Sequence, residues 1–576
     1  MSAERLLAQY EKIADAPDAI AQLRRFVLDL AVRGKLVPQD PYDEPASELL
    51  KRIAKENGRL VTTGEIKKAS VVADLTVSNH GLSTPNGWVI TNIQSVFESV
   101  TDGDHLPPPK ADAGIPFLVI GNVRSQRIDF AGSRFVPSEY YEALDAIRRP
   151  KKGDPLYTLV GSYGIPVIVR DDRPFCVQRH IGILRPSRLV DVIFFARAME
   201  SQLAFDQATA CATGIAQKTV PLSGLRKLLI PLPPLAEQLR IAAKVDELMS
   251  LCDRLEAARG SREAVRDRLA AASLARLNAP DPETFQADAR FALDVLPALT
   301  TRPDQIEYLR QTILNLAVRG KLVPQDPNDE PASELLRRIA KEIAAYGKAN
   351  RIGQSNAEPI PADDLPFSAP HGWQWTRLCA LFKVITDGDH QPPPRADEGV
   401  AFLTIGNITT GRLDFSGCRL VPESYFKSLA AYRTPAKGDI LYTVVGATYG
   451  RPAVVDADRG FCVQRHIAIL KPVETMSLRF LVTLLASPLI YDQATRSTTG
   501  TAQPTIALRP LRNFLAPLPP LAEQRRIVAK VDALMALCDR LEASLTATAA
   551  TRRRLLDALL AEALAPVADR AMEAAE

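Results

Sequence analysis

A chain of 576 residues exceeds what a single hydrophobic core supports, so roughly three or four domains are expected. Hydrophobic residues at 46% and charged residues at 24% describe a globular chain, and a net charge of +4 neither demands nor excludes nucleic acid, because acidic helices can offset a basic groove. The seven scattered cysteines show neither CxxC pairs nor metal-ligand spacing, no leader-like start is present, and no run approaches the roughly 20 apolar residues of a membrane span, so a reducing cytoplasm with no membrane partner is expected.

In chain order, Ser2 to Leu36 has helical spacing, with Leu23, Val27, Leu30 and Ala31 on one face and Gly34 as its stop. Ala31 to Glu56 then reads helix, proline elbow, helix, the second helix covering Glu48 to Glu56. This block returns at Ala317 to Glu342 with 24 of 26 residues identical. A polar linker, 57–84, leads to short apolar runs broken by Gly and Pro from Trp88 onward, which read as strands of an α+β domain. A helical tail over Val190–Ala212 follows. Pro231–Ala257, PLPPLAEQLRIAAKVDELMSLCDRLEA, opens a long helix and recurs at Pro517–Ala543 with 23 of 27 residues identical. The chain is therefore a tandem duplication with a period of about 286 residues. The expected divisions are 1–56, 57–84, 85–230, 231–280, 281–342, 343–369, 370–516 and 517–576.

Ile241, Val245, Leu248, Cys252 and Leu255 alternate steps of four and three, as do Ile527, Val531, Leu534, Cys538 and Leu541. Such an a/d stripe predicts that the two long helices pair with each other, against the alternative of an amphipathic helix packed on its own domain.

The two copies retain a set of polar residues that form the candidate DNA-binding list. They are His105, Asn122, Arg127, Arg134, Lys152, Tyr157, Gln178, Arg179, His180 and Gln217. Their counterparts are His390, Asn407, Arg412, Arg419, Lys437, Tyr442, Gln464, Arg465, His466 and Gln503. Arg, Gln and Asn read base edges bidentately, while Lys and Arg hold phosphates. The Thr101-Asp102-Gly103-Asp104-His105 loop could be a metal site, but Asx-type turns account better for it. Gln-Arg-His at 178–180 reads as part of a strand, with Arg179 on the face opposite Gln178 and His180. The chain shows no phosphate loop, no dinucleotide fingerprint, no methyltransferase tetrad and no nucleophile–base set, so no catalytic residue is assigned.

Two variable α+β domains, each followed by a PLPPLAEQxRI…CDRLE helix, together with the LAVRGKLVPQD blocks, resemble the specificity subunit of Type I restriction–modification systems over nearly the whole chain. The resemblance implies two target recognition domains, each reading half of a bipartite double-stranded DNA target. It also implies two long helices pairing antiparallel as a ruler. The expected partners are two modification subunits that methylate adenine and translocating restriction subunits. S-adenosylmethionine, ATP and Mg belong to those partners, and this chain is expected to be non-catalytic with no cofactor of its own. A helix over Leu235–Leu277 spans roughly 60 Å, enough to set two domains about one DNA turn apart. The likeness of the copies predicts similar, inverted half-sites. Competing readings are a self-contained metal-dependent nuclease using Asp102, Asp104 and His105, a scaffold that binds only protein, and a modification-only system.

Overall fold

The structure, a computed structural model, describes residues 10–66, 84–124, 127–215, 217–279, 281, 283–353, 357–390, 393–409, 411–500 and 503–564. Most of the expected 57–84 linker and the first residues of the expected N-terminal helix lie outside them. The chain divides into two compact units, Met1–Arg262 with Ala549–Glu576 and Glu263–Thr548.

In unit 1, α1 (Ala19–Val32) ends where Gly34 takes φ +64°, with the Lys35 amide donating to the Leu30 carbonyl at 3.0 Å. Helix α2 (Ala46–Thr62) runs past the expected end at Glu56, because Leu60 continues the buried face of Leu49 and Ile53. The domain that follows opens with β1 (Val89–Asn92) and closes with β11 (Leu229–Leu232), which pair antiparallel and so bring its two ends together. Between them, β2 (Phe97–Asp102), β7 (Pro155–Thr158), β8 (Pro166–Ile168) and β10 (Ile181–Pro186) form a four-stranded sheet of order β2-β10-β7-β8. A second sheet holds β3 (Ile115–Leu118), β6 (Arg134–Val136) and β9 (Cys176–Val177), with β3 central and parallel to β9. A small hairpin joins β4 (Val123–Arg124) to β5 (Arg127–Ile128). The expected helical tail is two helices, α3 (Val192–Met199) and α4 (Gln202–Cys211), separated by Ser201, whose hydroxyl donates to the Ala198 carbonyl and caps α4.

Both faces of β7 are buried, so its residues alternate between two cores. Leu156 joins Leu118, Val167, Phe175 and Ile183 between the sheets, whereas Tyr157 joins the cluster under α1, α2, α3 and the long helix α5 (Leu235–Asn278). Unit 2 repeats the four-stranded sheet, with Phe382–Asp387, Ile467–Pro472, Ile440–Thr443 and Pro452–Val454 in the same order. A second long helix, Leu521–Leu564, starts in unit 2 and is again 44 residues.

The first residues of each a/d stripe are covered by their own domain. Ile241 and Val245 are fully buried in unit 1's own core, with Leu248 half-buried against it. Ile527 and Val531 lie in unit 2's core, and Leu534 is half-buried. Leu255 and Leu541 are 40% and 39% exposed. An a/d period defines a narrow apolar face without naming what covers it, and for its first two turns each helix covers it with its own domain.

The retained PLPPLAEQ residues explain this docking. Glu237, only 1% exposed, accepts the Trp88 indole N–H at 2.8 Å and the Gln39 amide at 3.1 Å. Gln238 accepts the Asp191 backbone amide and donates to the Pro233 carbonyl, while Arg240 pairs with Asp43 at 2.6 Å. One helical turn thus ties the elbow, the domain's entry and its tail to α5. Unit 2 repeats the arrangement with Glu523, Trp373, Gln325, Gln524, Arg526 and Asp329. Burial pushes the Glu523 carboxyl up, opposed by the Gln325 and Trp373 donors.

The far ends of the long helices are buried separately. In unit 1, Leu556, Leu559 and Leu560 pack against Ile13, Ala16 and Ala19. In unit 2, Leu274 and Leu277 pack against Ala292. Leu556 is wholly buried, so Leu556→Ala is expected to destabilise unit 1 by about 3 kcal/mol through lost contact and residual cavity. Urea denaturation followed by circular dichroism measures this, and a midpoint equal to the wild type's would contradict the packing.

Candidate nucleic-acid interface

The strand register gathers four loops at one end of the four-stranded sheet. Asp102 pairs with Gly182, Thr158 with Ile181, and Tyr157 with Pro166, so β2 and β7 leave the sheet where β8 and β10 enter it. The loops are Gly103–Leu106, Gln178–His180, Leu159–Ile165 and the hairpin Thr213–Thr219. They are joined in series. Asp104 bridges to Gln178, the Leu159 amide donates to the His180 carbonyl at 2.9 Å, and the Gly161 amide donates to the Lys218 carbonyl at 2.9 Å.

Local chemistry fixes each loop. A Cβ on Gly103 would lie 1.9 Å from the Val177 carbonyl oxygen, so only glycine lets the first loop touch the end of β9, just before Gln178. One Asp104 oxygen accepts the His105 and Leu106 amides, and the other accepts the Tyr140 hydroxyl at 2.9 Å. This is the expected Asx turn. Asp102, buried, holds the His105 ring through Nε2 at 3.0 Å, and Arg148 donates to the Gly103 carbonyl at 2.5 Å. The carboxylates of this loop therefore organise the loop itself. Among the described residues no cluster has a metal ion's ligand set. The hairpin closes through mutual Thr213–Thr219 backbone bonds of 2.8 Å, with Gly214 at φ +96°.

Gln178-Arg179-His180 is not a strand segment. It is the turn between β9 and β10, closed by the Ile181 amide on the Gln178 carbonyl at 2.9 Å. Apolar runs on both sides gave it a strand's texture, but the chain changes sheets there. Arg179 is exposed, and its Nε donates weakly to His180 Nε2 at 3.4 Å, with the same geometry at Arg465 and His466. Burial first, and then the adjacent guanidinium, hold both imidazoles below the ordinary histidine range. The unfolded chain then takes up these protons at higher pH than the folded chain, so stability falls as pH drops from that range through the depressed values. Urea midpoints at about pH 7.5 and 5.5 are expected to show this fall, reduced in the His180→Asn/His466→Asn variant. Equal falls in the variant and the wild type would contradict it.

The loop end of unit 1 therefore presents His105, Gln178, Arg179, His180 and Gln217, with Lys218 beside them. Unit 2 presents His390, Gln464, Arg465, His466 and Gln503 on the same framework, with Tyr425 holding Asp389 at 3.0 Å.

Other candidates are placed elsewhere. Tyr157 and Tyr442 are fully buried core residues and cannot touch a ligand. Asn122 accepts the Val119 amide and donates to the Asp129 carbonyl, clipping its own turn, and Asn407 does the same with Thr404 and Asp414. Lys152 and Lys437 precede the opposite end of the sheet, near Asp172 at 3.6 Å and Asp458 at 2.8 Å. Arg127 and Arg412 are exposed on the small hairpins. Arg134 is exposed at the start of β6, whereas Arg419 donates to the Pro393 carbonyl and lies over the Phe402 ring. Sequence reasoning missed Tyr140 and Arg148, which lie 36 and 45 residues from their partners. Retention of Tyr140 as Tyr425 and of Arg148 as Arg433 was the available signal.

Residues 370–549 match the Type I restriction modification DNA specificity domain. Over 551 residues the chain is 30% identical to the Type I restriction enzyme EcoAI specificity subunit of Escherichia coli, covering 94% of this chain and 93% of the relative. It is also 30% identical over 579 residues to the EcoEI specificity subunit of Escherichia coli, covering 95% and 94%. The crystal structure of the HsdS subunit from Thermoanaerobacter tengcongensis aligns with a TM-score of 0.39 at 20% identity, over 84% of this chain and 98% of that one. At this identity, over nearly its full length, the chain belongs to the family of Type I restriction enzyme specificity subunits.

Proposed function

We propose that each unit reads one half of a bipartite duplex sequence through its loop end, and that the chain thereby directs partner subunits to methylate adenine or to cut unmodified DNA. Specificity subunits are non-catalytic and work in complexes with methylase and restriction subunits. The observation that carries the reading is the duplicate constellation His105/Gln178/Arg179/His180/Gln217 and His390/Gln464/Arg465/His466/Gln503, built on matching backbone bridges. Carboxylates near it are engaged internally, which leaves guanidinium, imidazole and amide groups facing outward to meet phosphates and base edges. Two near-copies imply similar half-sites, inverted about a non-specific spacer. S-adenosylmethionine is assigned to two methylase subunits, and ATP with Mg to the restriction subunits.

A genome-wide adenine-methylation map with and without the chain, in the presence of its methylase partner, tests this. A bipartite motif that disappears with the chain is expected, and Arg179→Ala should relax one base of one half-site only. No chain-dependent motif under an active methylase would overturn the reading.

A further inference from the structure

The two loop ends share five polar residues but differ in several of the larger side chains that accompany them. In unit 1, Leu106 is 71% exposed, Ile215 is fully exposed, and Phe205 is 41% exposed. Leu106 belongs to the first loop of the series and Ile215 to the last. Phe205 stacks on Tyr163 of the β7–β8 loop with ring centroids 5.6 Å apart and planes 10° apart. Leu106 and Ile215 thus stand out into solvent on loops of the series that includes the Gln178–His180 turn, and Phe205 keeps part of its ring exposed beside the β7–β8 loop. In sequence, the corresponding residues of the second copy are Gln391, Thr501 and Tyr491. Of these, Gln391 and Thr501 lie outside the described residues, while Tyr491 is 46% exposed and stacks on Tyr449 at 5.4 Å. Each change replaces an apolar surface with one bearing a hydrogen-bonding group. The half-buried Ile165, whose counterpart is Arg451, changes in the same direction, whereas exposed Lys218, whose counterpart is Pro504, changes in the opposite one.

Exposed apolar side chains on recognition loops lose free energy in water unless the ligand covers them. Only one feature of a base edge in the major groove is apolar, the C5-methyl group of thymine. We propose that Leu106, Phe205 and Ile215 are specificity-determining residues that contact thymine methyl groups in the half-site read by unit 1, and that the other half-site differs there. The shared polar residues read what the two halves have in common. This inference rests on the proposed reading of DNA by the loop ends.

The test uses the chain assembled with its methylase partner on synthetic duplexes carrying the mapped target. Each thymine of either half-site is replaced in turn by deoxyuridine, which lacks only the methyl group. Removing one contacted methyl is expected to lower methylation efficiency about four-fold in the half-site read by unit 1. The same replacement in the other half-site should have no effect. The variant Leu106→Gln/Phe205→Tyr/Ile215→Thr, which installs the second copy's residues at exposed positions, should methylate thymine and deoxyuridine duplexes equally. A half-site for unit 1 with no thymine on either strand would overturn the inference. So would unchanged methylation of every deoxyuridine duplex, or a penalty that persists in the triple variant. Absence of any chain-dependent methylation would instead overturn the recognition role itself.

Discussion

Gly103→Ala is expected to abolish recognition of one half-site while the other unit stays folded. The added Cβ would lie 1.9 Å from the Val177 carbonyl oxygen and 2.6 Å from two further backbone carbons, so no flexible side chain can move to make room. The strand leading into Gln178 must shift instead. This breaks the Asp104–Gln178 bridge and the Gln178 amide bond to the Leu118 carbonyl at 2.9 Å. Overpacking of this kind costs about 3 kcal/mol. A Cβ on Gly388 would likewise lie 1.9 Å from the Val463 carbonyl oxygen, so Gly388→Ala should remove the opposite half-site. The measurements are urea denaturation and a methylation map for each variant. Wild-type midpoints with an unchanged motif would show that the close approach is unimportant.

Glu237→Ala is expected to loosen the long helix from unit 1 at a cost of about 3 kcal/mol. The substitution leaves the buried Trp88 N–H and the Gln39 amide without their acceptor and opens space under the first turn of α5. Glu237→Gln retains an acceptor oxygen and should recover a large part of the loss. Glu523→Ala should act equally on unit 2, through Trp373 and Gln325. Thermal unfolding of the three variants decides the matter. A melting temperature for Glu237→Ala within a degree or so of wild type would mean that the carboxylate is a bystander. The alanine variant should also reach beyond α5, because Glu237 and its neighbours join three stretches of unit 1 that are far apart in sequence.

Much of the loop end could be located from the repeat, but its membership could not. His105, Gln178, Arg179, His180 and Gln217 were identified as retained polar residues, and the register of β2, β7 and β10 brings their loops to one end of the sheet. Tyr157, Asn122 and Lys152 were retained just as strictly, yet they serve the core, a turn and the opposite end. A duplication preserves whatever the fold needs along with whatever the ligand needs. The two classes separate only when each side chain's direction is known, and along β7 that direction reverses at every residue.

The long helices show the same division. Their existence, length and proline entry follow from local rules that act within a few residues, and so do the Gly34 stop, the strand texture of the variable domains and the 286-residue duplication. What covers the a/d stripe did not follow. Ile241 and Val245 meet their own domain because Trp88, Gln39 and Asp43, some 150 to 200 residues away, meet Glu237 and Arg240 on the same turn. The Gln178–His180 turn likewise depends on β9 and β10 belonging to different sheets. The sequence by itself determined the repeat, the elements and the chemical character of the retained residues, because these rest on periodicity, capping and side-chain chemistry. Only the tertiary structure decided which retained residues face outward together, because that depends on pairings between segments distant in the chain.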